Sequence, residues 1–249
     1  MIVTTQNEVL FTRLQWPAVE VYDAAARIIA KLARLDPQFV TWHDMPTSGK
    51  DPGAMFDDRE KMLERLDADI ERRVKEYPDW PDAKSAHLAL TTGVGPNWRK
   101  AGRAELVIDT FSGRGVFSLR EPDKAYGKAT PSILKAAMSA LVEELDPTFG
   151  NNDIKVKTAE GELVSYRFNR RLYQHRQFFG WLGYVPVDLP HARIRDAYET
   201  IKAGKGTIVV SVPGLFDPAD DAQVDKAHRV EMDLASYELL PVIDPNLKS

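Results

Sequence analysis

Two stretches of this chain end in the same way. An apolar stripe at helical spacing runs into Leu-Asp-Pro-x-Phe, first at Leu35, Asp36, Pro37 and Phe39, then at Leu145, Asp146, Pro147 and Phe149. The residue before a proline avoids the α region, so each Asp-Pro step stops a helix and turns the chain toward extended backbone. Any fold of this sequence must accommodate two such helix-to-sheet passages. Their recurrence points to one domain over 1–249, with two pseudo-related halves at 1–123 and 130–249.

The stripes themselves place the helices. Val21, Ala25, Ile28, Leu32 and Leu35 step by four and three and predict a helix over 17–35, with Pro17 at its first position. After a polar loop at 47–53, Met62, Leu66, Ile70 and Val74 predict a helix over 57–75, capped by Asp57 or Asp58. Thr130-Pro131 reads as an N-cap followed by proline and opens a helix ending at Leu145. A short helix is expected over 194–202, closed by Gly204. The last helix is expected to start with Asp217 as cap and Pro218 behind it, with Val224, Ala227, Val230 and Leu234 facing inward, and the tail from Asp244 to be loose.

Period-two runs predict strands at 85–94, 103–111, 116–120, 153–158, 162–168 and 178–187, with hairpin turns at 112–115 and 159–161. Ile208 to Val212 is almost continuously apolar, as expected of a strand covered on both faces. Helices and strand groups come in blocks, not in strict βα units. That pattern predicts an α+β fold, a largely antiparallel sheet with helices packed against it.

A search for chemistry is mostly negative. Cysteine is absent, which excludes disulfides, zinc–thiolate sites and a cysteine nucleophile, and favours a cytoplasmic location. Residues 1–10 include Thr4, Thr5, Gln6 and Asn7 and show no signal-peptide pattern. No apolar run approaches the ~20 residues of a membrane span. His43, His87, His175, His191 and His228 never fall three or four apart, so no helical two-histidine metal site exists. Gly93-Val94-Gly95 lacks the third glycine and the helix of a dinucleotide turn. Gly204-Lys205-Gly206-Thr207 lies between a helix and a strand, the reverse of a phosphate loop's order. There is no Gly-x-Ser-x-Gly elbow. The expectation is therefore no catalytic residue, no cofactor and no metal.

Two charged clusters stand out. Arg167, Arg170, Arg171, His175 and Arg176 interleave with Phe168, Tyr173, Phe178 and Phe179. Nucleic acid could use such a mixture. The net charge of −4 favours the plainer reading, aromatics in the core and arginines in water, with no direct nucleic-acid binding. Asp217, Asp220, Asp221 and Asp225 form an acidic cluster that suits a helix dipole or a cationic protein partner.

Four segments in order resemble the bacterial immunity protein fifty-two family of polymorphic toxin systems. They are Ala30 to Trp42, Leu141 to Gly150, Gly180-Trp181-Leu182-Gly183-Tyr184, and Val209 to Asp217, the last containing Pro213, Gly214 and Phe216. The family's Tyr-Trp-Gly-type opening reads Leu14-Gln15-Trp16-Pro17 here. The resemblance implies a cytoplasmic antidote that forms a complex, expected to be 1:1, with a cognate toxin, often a nuclease, delivered by contact-dependent or type VI secretion. The motif residues, among them Leu35, Phe39, Trp42, Leu145, Phe149, Gly180 and Trp181, would then be structural. Toxin contacts are expected from Asp217, Asp220, Asp221 and Asp225, or from the second helix through Asp57, Asp58 and Glu64. The rival readings are a metal-independent hydrolase using scattered Asp, Glu and His, and a structural or adaptor protein of a secretion apparatus.

Overall fold

The computed structural model describes residues 1–46 and 53–247. Its strands are β1 (Ile2–Leu10), β2 (His43–Asp44), β3 (His87–Thr91), β4 (Ala104–Asp109), β5 (Arg114–Arg120), β6 (Phe149–Lys157), β7 (Leu163–Ser165), β8 (Leu182–Val185), β9 (Glu199–Ala203) and β10 (Gly206–Val210). All ten belong to one sheet, ordered β2-β3-β4-β5-β1-β6-β8-β10-β9, with β7 on β6 off that path. Every ladder between these strands is antiparallel. The helices are α1 (Ala18–Leu32), α2 (Arg59–Glu76), α3 (Pro122–Tyr126), α4 (Thr130–Leu145) and α5 (Asp221–Ser236). The fold is α+β, as the block pattern implied.

Alternation along the strands divides the core. Ile208 and Val210 of β10, with Leu182 and Tyr184 of β8, join the larger apolar cluster with α1, α4 and the Met62–Leu66 face of α2. Val209 and Val185 point the other way and meet Val230 and Leu234 of α5. α2 therefore packs on one face of the sheet and the C-terminal half of α5 on the other. α1 is tied to α4 by Arg27–Glu144 (2.5 Å) and by Lys31 with Glu143 (2.6 Å) and Glu144 (2.5 Å). Such rim pairs contribute at most about 1 kcal/mol each.

The two Leu-Asp-Pro-x-Phe copies do not share a conformation. Asp36 is extended and accepts the Gln38 N–H (2.8 Å), starting a 3₁₀ turn. Asp146 is left-handed (φ 44°) at the end of α4, and its carboxylate pairs with Lys205 (2.6 Å). Leu35 is 40% exposed and Leu145 2%. What recurs is the destination of the phenylalanine. Phe39 and Phe149 are both buried, and Trp42 sits with Phe39, donating its indole N–H to the Phe39 carbonyl (2.8 Å).

Several sequence-based expectations need correction. Residues 1–10, given no element, form a central strand. The helix expected over 194–202 is absent. Its last residues form β9, joined to β10 by a two-residue turn at Gly204-Lys205. β-branched Thr200 and Ile201 suit that pairing, and so short a segment cannot repay helix nucleation. The last helix starts later than expected. Asp217 accepts the Ala219 N–H (2.9 Å) in a local turn, and Asp220 is the cap. Thr130 lies inside α4 and donates its hydroxyl to the Pro122 carbonyl (3.1 Å) instead of capping. The strand expected over 162–168 leaves the sheet after Ser165 and becomes a π-helical turn, Tyr166–Arg170. The loop expected at 47–53 lies, except for Gly53, outside the described residues, as do the last two residues of the tail.

Candidate functional site

The acidic and basic clusters identified in the sequence meet. Asp220 accepts from the N–H groups of Ala222 (2.9 Å) and Gln223 (3.3 Å). Gln223 Nε2 donates back to Asp220 (2.9 Å), and Gln223 Oε1 accepts the Asp217 N–H (3.0 Å), a variant of the capping box. The Gln223 amide and these helix N–H groups hold the Asp220 carboxyl below its ordinary range. The next residue, Asp221, forms an ion pair with Arg170 at the end of the π-helical turn. Two turns on, His228 Nε2 lies 2.6 Å from the Arg170 carbonyl oxygen. Asp225 lies between these two on the same helix face, exposed and without an ion-pair partner among the described residues.

The π turn is anchored from three sides. Asp153 accepts from the Ser165 hydroxyl (2.9 Å) and the Arg167 N–H (3.1 Å), and Asn169 Oδ1 accepts the Ser165 N–H (2.9 Å). Tyr166 is fully buried among Phe178, Phe216 and His228. Its hydroxyl approaches the Glu231 carboxylate, though without a well-formed hydrogen bond. Glu231 is only 1% exposed. Its Oε1 accepts from the N–H groups of Phe179 (2.7 Å) and Gly180 (3.3 Å). Burial pushes the Glu231 carboxyl above the ordinary carboxylate range, although those two N–H groups and Tyr166 oppose the rise. Burial likewise pushes the Tyr166 hydroxyl well up, with the Glu231 charge adding to it.

Three motif residues build this site. Gly180 has φ +76°, and a Cβ there would sit 2.2 Å from the Asn152 carbonyl oxygen, so only glycine fits. Trp181 donates its indole N–H to the Val212 carbonyl (3.0 Å), tying β8 to the segment carrying Pro213 and Gly214. Phe216 packs edge-on against Tyr166 (5.6 Å). Glu231 was not singled out in the sequence, yet a signal was there. It lies four residues after Ala227 and three before Leu234, a charged residue inside the apolar stripe of α5.

The basic cluster divides. Phe178 and Phe179 are buried, as the plainer reading holds, and Arg176 donates to the Leu240 carbonyl (2.9 Å). Phe168 does the opposite and is 74% exposed.

The second acidic surface is elsewhere. Asp58 caps α2 by accepting the Lys61 N–H (3.3 Å). Asp57 and Glu64 are exposed, and Glu60, Asp67 and Glu71 extend the row at helical spacing, without ion-pair partners among the described residues. β3, under α2, and β8, under α5, are five strand positions apart, or about 24 Å at the usual strand spacing. The two acidic surfaces therefore belong to different ends of the sheet.

A cavity of about 300 Å³ lies beside α2, lined by Asp69, Arg72, Arg73, Tyr77, Trp80, Ala83, His87, Asp109 and Phe111. His87 Nδ1 is 3.7 Å from Asp109. Burial raises the Asp109 carboxyl, but His87, the Ser112 hydroxyl and the Phe111 N–H outweigh it and hold the group well below its ordinary range. Asp69 is likewise held low, its burial outweighed by Arg73 and Arg72. Among the described residues no group of three or more His, Asp or Glu side chains could hold a metal ion. No helix among them is long and apolar enough to cross a membrane.

No protein-family model matches the chain, that of the immunity protein fifty-two family included. No curated protein matches it either. Among solved structures, the Pseudomonas aeruginosa T6SS protein PA0821 is similar, with a TM-score of 0.52 and 13% identity over 93% of this chain and 77% of that one. At that identity the likeness concerns the fold alone.

Proposed function

We propose that this chain is the antidote of a toxin–antidote pair, a cytoplasmic protein that neutralises a cognate antibacterial toxin by covering its surface in a 1:1 complex. The observation that carries this reading is the fold shared, over 93% of the chain, with a protein named for type VI secretion. The ordered resemblance to an immunity family supports it. Acting stoichiometrically, the molecule needs rigid surface chemistry and no reaction centre. Fixed carboxylates can stand in for phosphates in the cleft of a nuclease and accelerate encounter with it. The α5 end suits that role better than α2. The carboxylate of Asp217 is held by the Ala219 N–H, that of Asp220 by Gln223 and that of Asp221 by Arg170, whereas the α2 row sets Glu60 against Glu64 and Asp67 against Glu71 at four-residue spacing, where like charges repel.

The test is co-expression with the candidate toxin encoded beside it. Wild type should restore growth and co-purify with that toxin. D217K/D225K should weaken binding by about 100-fold, and E60K/E64K/E71K should leave it within about threefold, consistent with charge pairs at and away from an interface. If both charge reversals bind like wild type, phosphate mimicry is wrong and the antidote role survives it.

The His87 cavity favours a second reading, a hydrolase in which His87, held by Asp109, removes a proton from attacking water. It predicts turnover of a phosphodiester or ester probe by purified protein, lost at least 100-fold in H87A, as for removal of a general base. Absence of turnover in wild type removes it.

A further inference from the structure

We propose that a small cavity between the turn after α1 and the end of β3 is a phosphate site, taking inorganic phosphate or the phosphate group of a small ester. This goes beyond the antidote reading and does not depend on it.

The cavity measures about 300 Å³ and is lined by Gln38, Thr41, Thr92, Gly93, Asn97 and Lys100. Three separated segments build it. They are the 3₁₀ turn Pro37–Phe39 with Thr41 behind it, the two residues after β3, and the 3₁₀ turn Gly95–Arg99 with Lys100 behind it. Gly93 lets the last of these fold back, because a Cβ there would sit 2.7 Å from the Asn97 carbonyl oxygen. The Arg103 guanidinium lies 4.0 Å from the centroid of the Trp98 ring and fastens that turn to the chain just before β4.

The first observation is the kind of group on the wall. Gln38, Thr41, Thr92, Asn97 and Lys100 each carry a side-chain N–H or O–H donor, and none of these donors has an acceptor among the described residues. Gln38 Oε1 lies on the Tyr126 hydroxyl (3.5 Å), which leaves the Nε2 end of the amide as the free one. Thr92 Oγ1 accepts the Ala104 N–H (2.9 Å) and keeps its own proton to give. No carboxylate lines this cavity, whereas Asp69 and Asp109 line the one beside α2. A wall of donors suits a ligand that is all acceptor, and phosphate brings several charged oxygens at once.

The second observation is charge. Residues 36–41 and 92–105, with Arg120 at the end of β5, hold Arg99, Lys100, Arg103 and Arg120 against two carboxylates, Asp36 and Glu105. Glu105 pairs with Arg103 (2.6 Å), and Asp36 accepts the Gln38 N–H (2.8 Å). Arg99, Lys100 and Arg120 have no ion-pair partner among the described residues. Arg120 Nε donates to the Arg99 carbonyl (3.3 Å), so its charge lies against the same turn. Arg103 Nε and Nη1 are buried without an acceptor. In a chain of net charge −4 this is a locally cationic recess, and a recess of one sign concentrates the opposite ion.

The experiment titrates inorganic phosphate and ribose 5-phosphate into nitrogen-15-labelled wild type, K100A, Q38E and the control K226A, an exposed lysine of α5, at low ionic strength. Wild type should show saturable amide shifts centred on Gly93, Asn97 and Lys100, with a dissociation constant of about 1 mM or tighter. K100A should bind about 10-fold more weakly, as for the loss of one charge-assisted bond, and Q38E, which sets a carboxylate in the wall, at least about 10-fold more weakly. K226A should bind like wild type, and all three variants should keep the wild-type thermal midpoint. Tighter binding of ribose 5-phosphate than of inorganic phosphate, with ribose silent, makes an ester the ligand. Equal binding makes it the free ion. The absence of any saturable shift in wild type at about 20 mM phosphate overturns the site. Saturation at wild-type affinity in both K100A and Q38E places the anion elsewhere and overturns it too.

Discussion

Deleting residues 1–10 is expected to abolish folding, not merely to weaken it. β1 lies in the middle of the sheet, with Thr4 to Leu10 paired to Arg120 to Arg114 of β5 on one side and to β6, down to Phe149, on the other. Its removal leaves two neighbours with bare edges inside the structure. It also removes Val9 from the α4 core and opens the site where Asn7 donates to the Leu134 carbonyl (2.8 Å) and accepts from Asn152 (2.8 Å). Each buried polar group left unpaired costs about 1–3 kcal/mol. A domain holds only about 5–15 kcal/mol in total, so a handful of orphaned groups exceeds the whole. The deleted protein should show no near-UV circular dichroism and no cooperative urea transition. A sharp transition would mean that β5 and β6 can close on each other, and that β1 does not organise the sheet.

β1 also shows where reading the sequence fails. Thr4, Thr5, Gln6 and Asn7 look like a polar, unstructured start, because strands are found by apolar alternation. Here the buried positions include Thr5, Asn7 and Glu8, and what satisfies Asn7 and Glu8 comes from distant segments: α4 and Asn152 for Asn7, Arg114 for Glu8 (2.5 Å). No local pattern announces such partners. The four long helices were legible because their stripes are local, and even then their starts moved by up to three residues. The hairpin of β4 and β5 was legible for the same reason, alternating residues around a glycine turn. β9 was lost because Glu199, Lys202 and Ala203 carry no preference, and only its pairing with β10 makes it a strand. At the site, the acidic residues of α5 could be named from sequence but their contact with Arg170 could not, since 51 residues separate Arg170 from Asp221. The exposed Phe168 could not be told from buried Phe178 either, because the π turn that carries Phe168 has no sequence signature.

Glu231 carries the second large effect. E231A should destabilise the protein by about 3–4 kcal/mol, because the N–H groups of Phe179 and Gly180 lose their acceptor in a site water cannot reach. For a protein of this size that is a fall of about 10 °C in thermal midpoint. E231Q keeps an acceptor and the shape, and should cost only about 1 kcal/mol. The dependence on pH separates a structural carboxyl from a merely packed one. Burial raises the folded-state value above the ~4.3 of an unfolded glutamate, so the folded protein holds this proton more tightly. The resulting stabilisation is fully present below ~4.3 and is lost as pH rises through the folded value. Urea titrations at a series of pH values from 4 to 8 should therefore show the advantage of wild type over E231Q shrinking as pH rises, with other titrating groups cancelling in the difference. An advantage that grew with pH would mean the carboxylate is better stabilised inside than in water, through a stronger bond from Tyr166 than the structure contains. F216A and Y166F then apportion the effect. Y166F removes the hydroxyl near Glu231 and leaves the ring, and F216A removes the ring packed on Tyr166, so only Y166F should move the pH dependence.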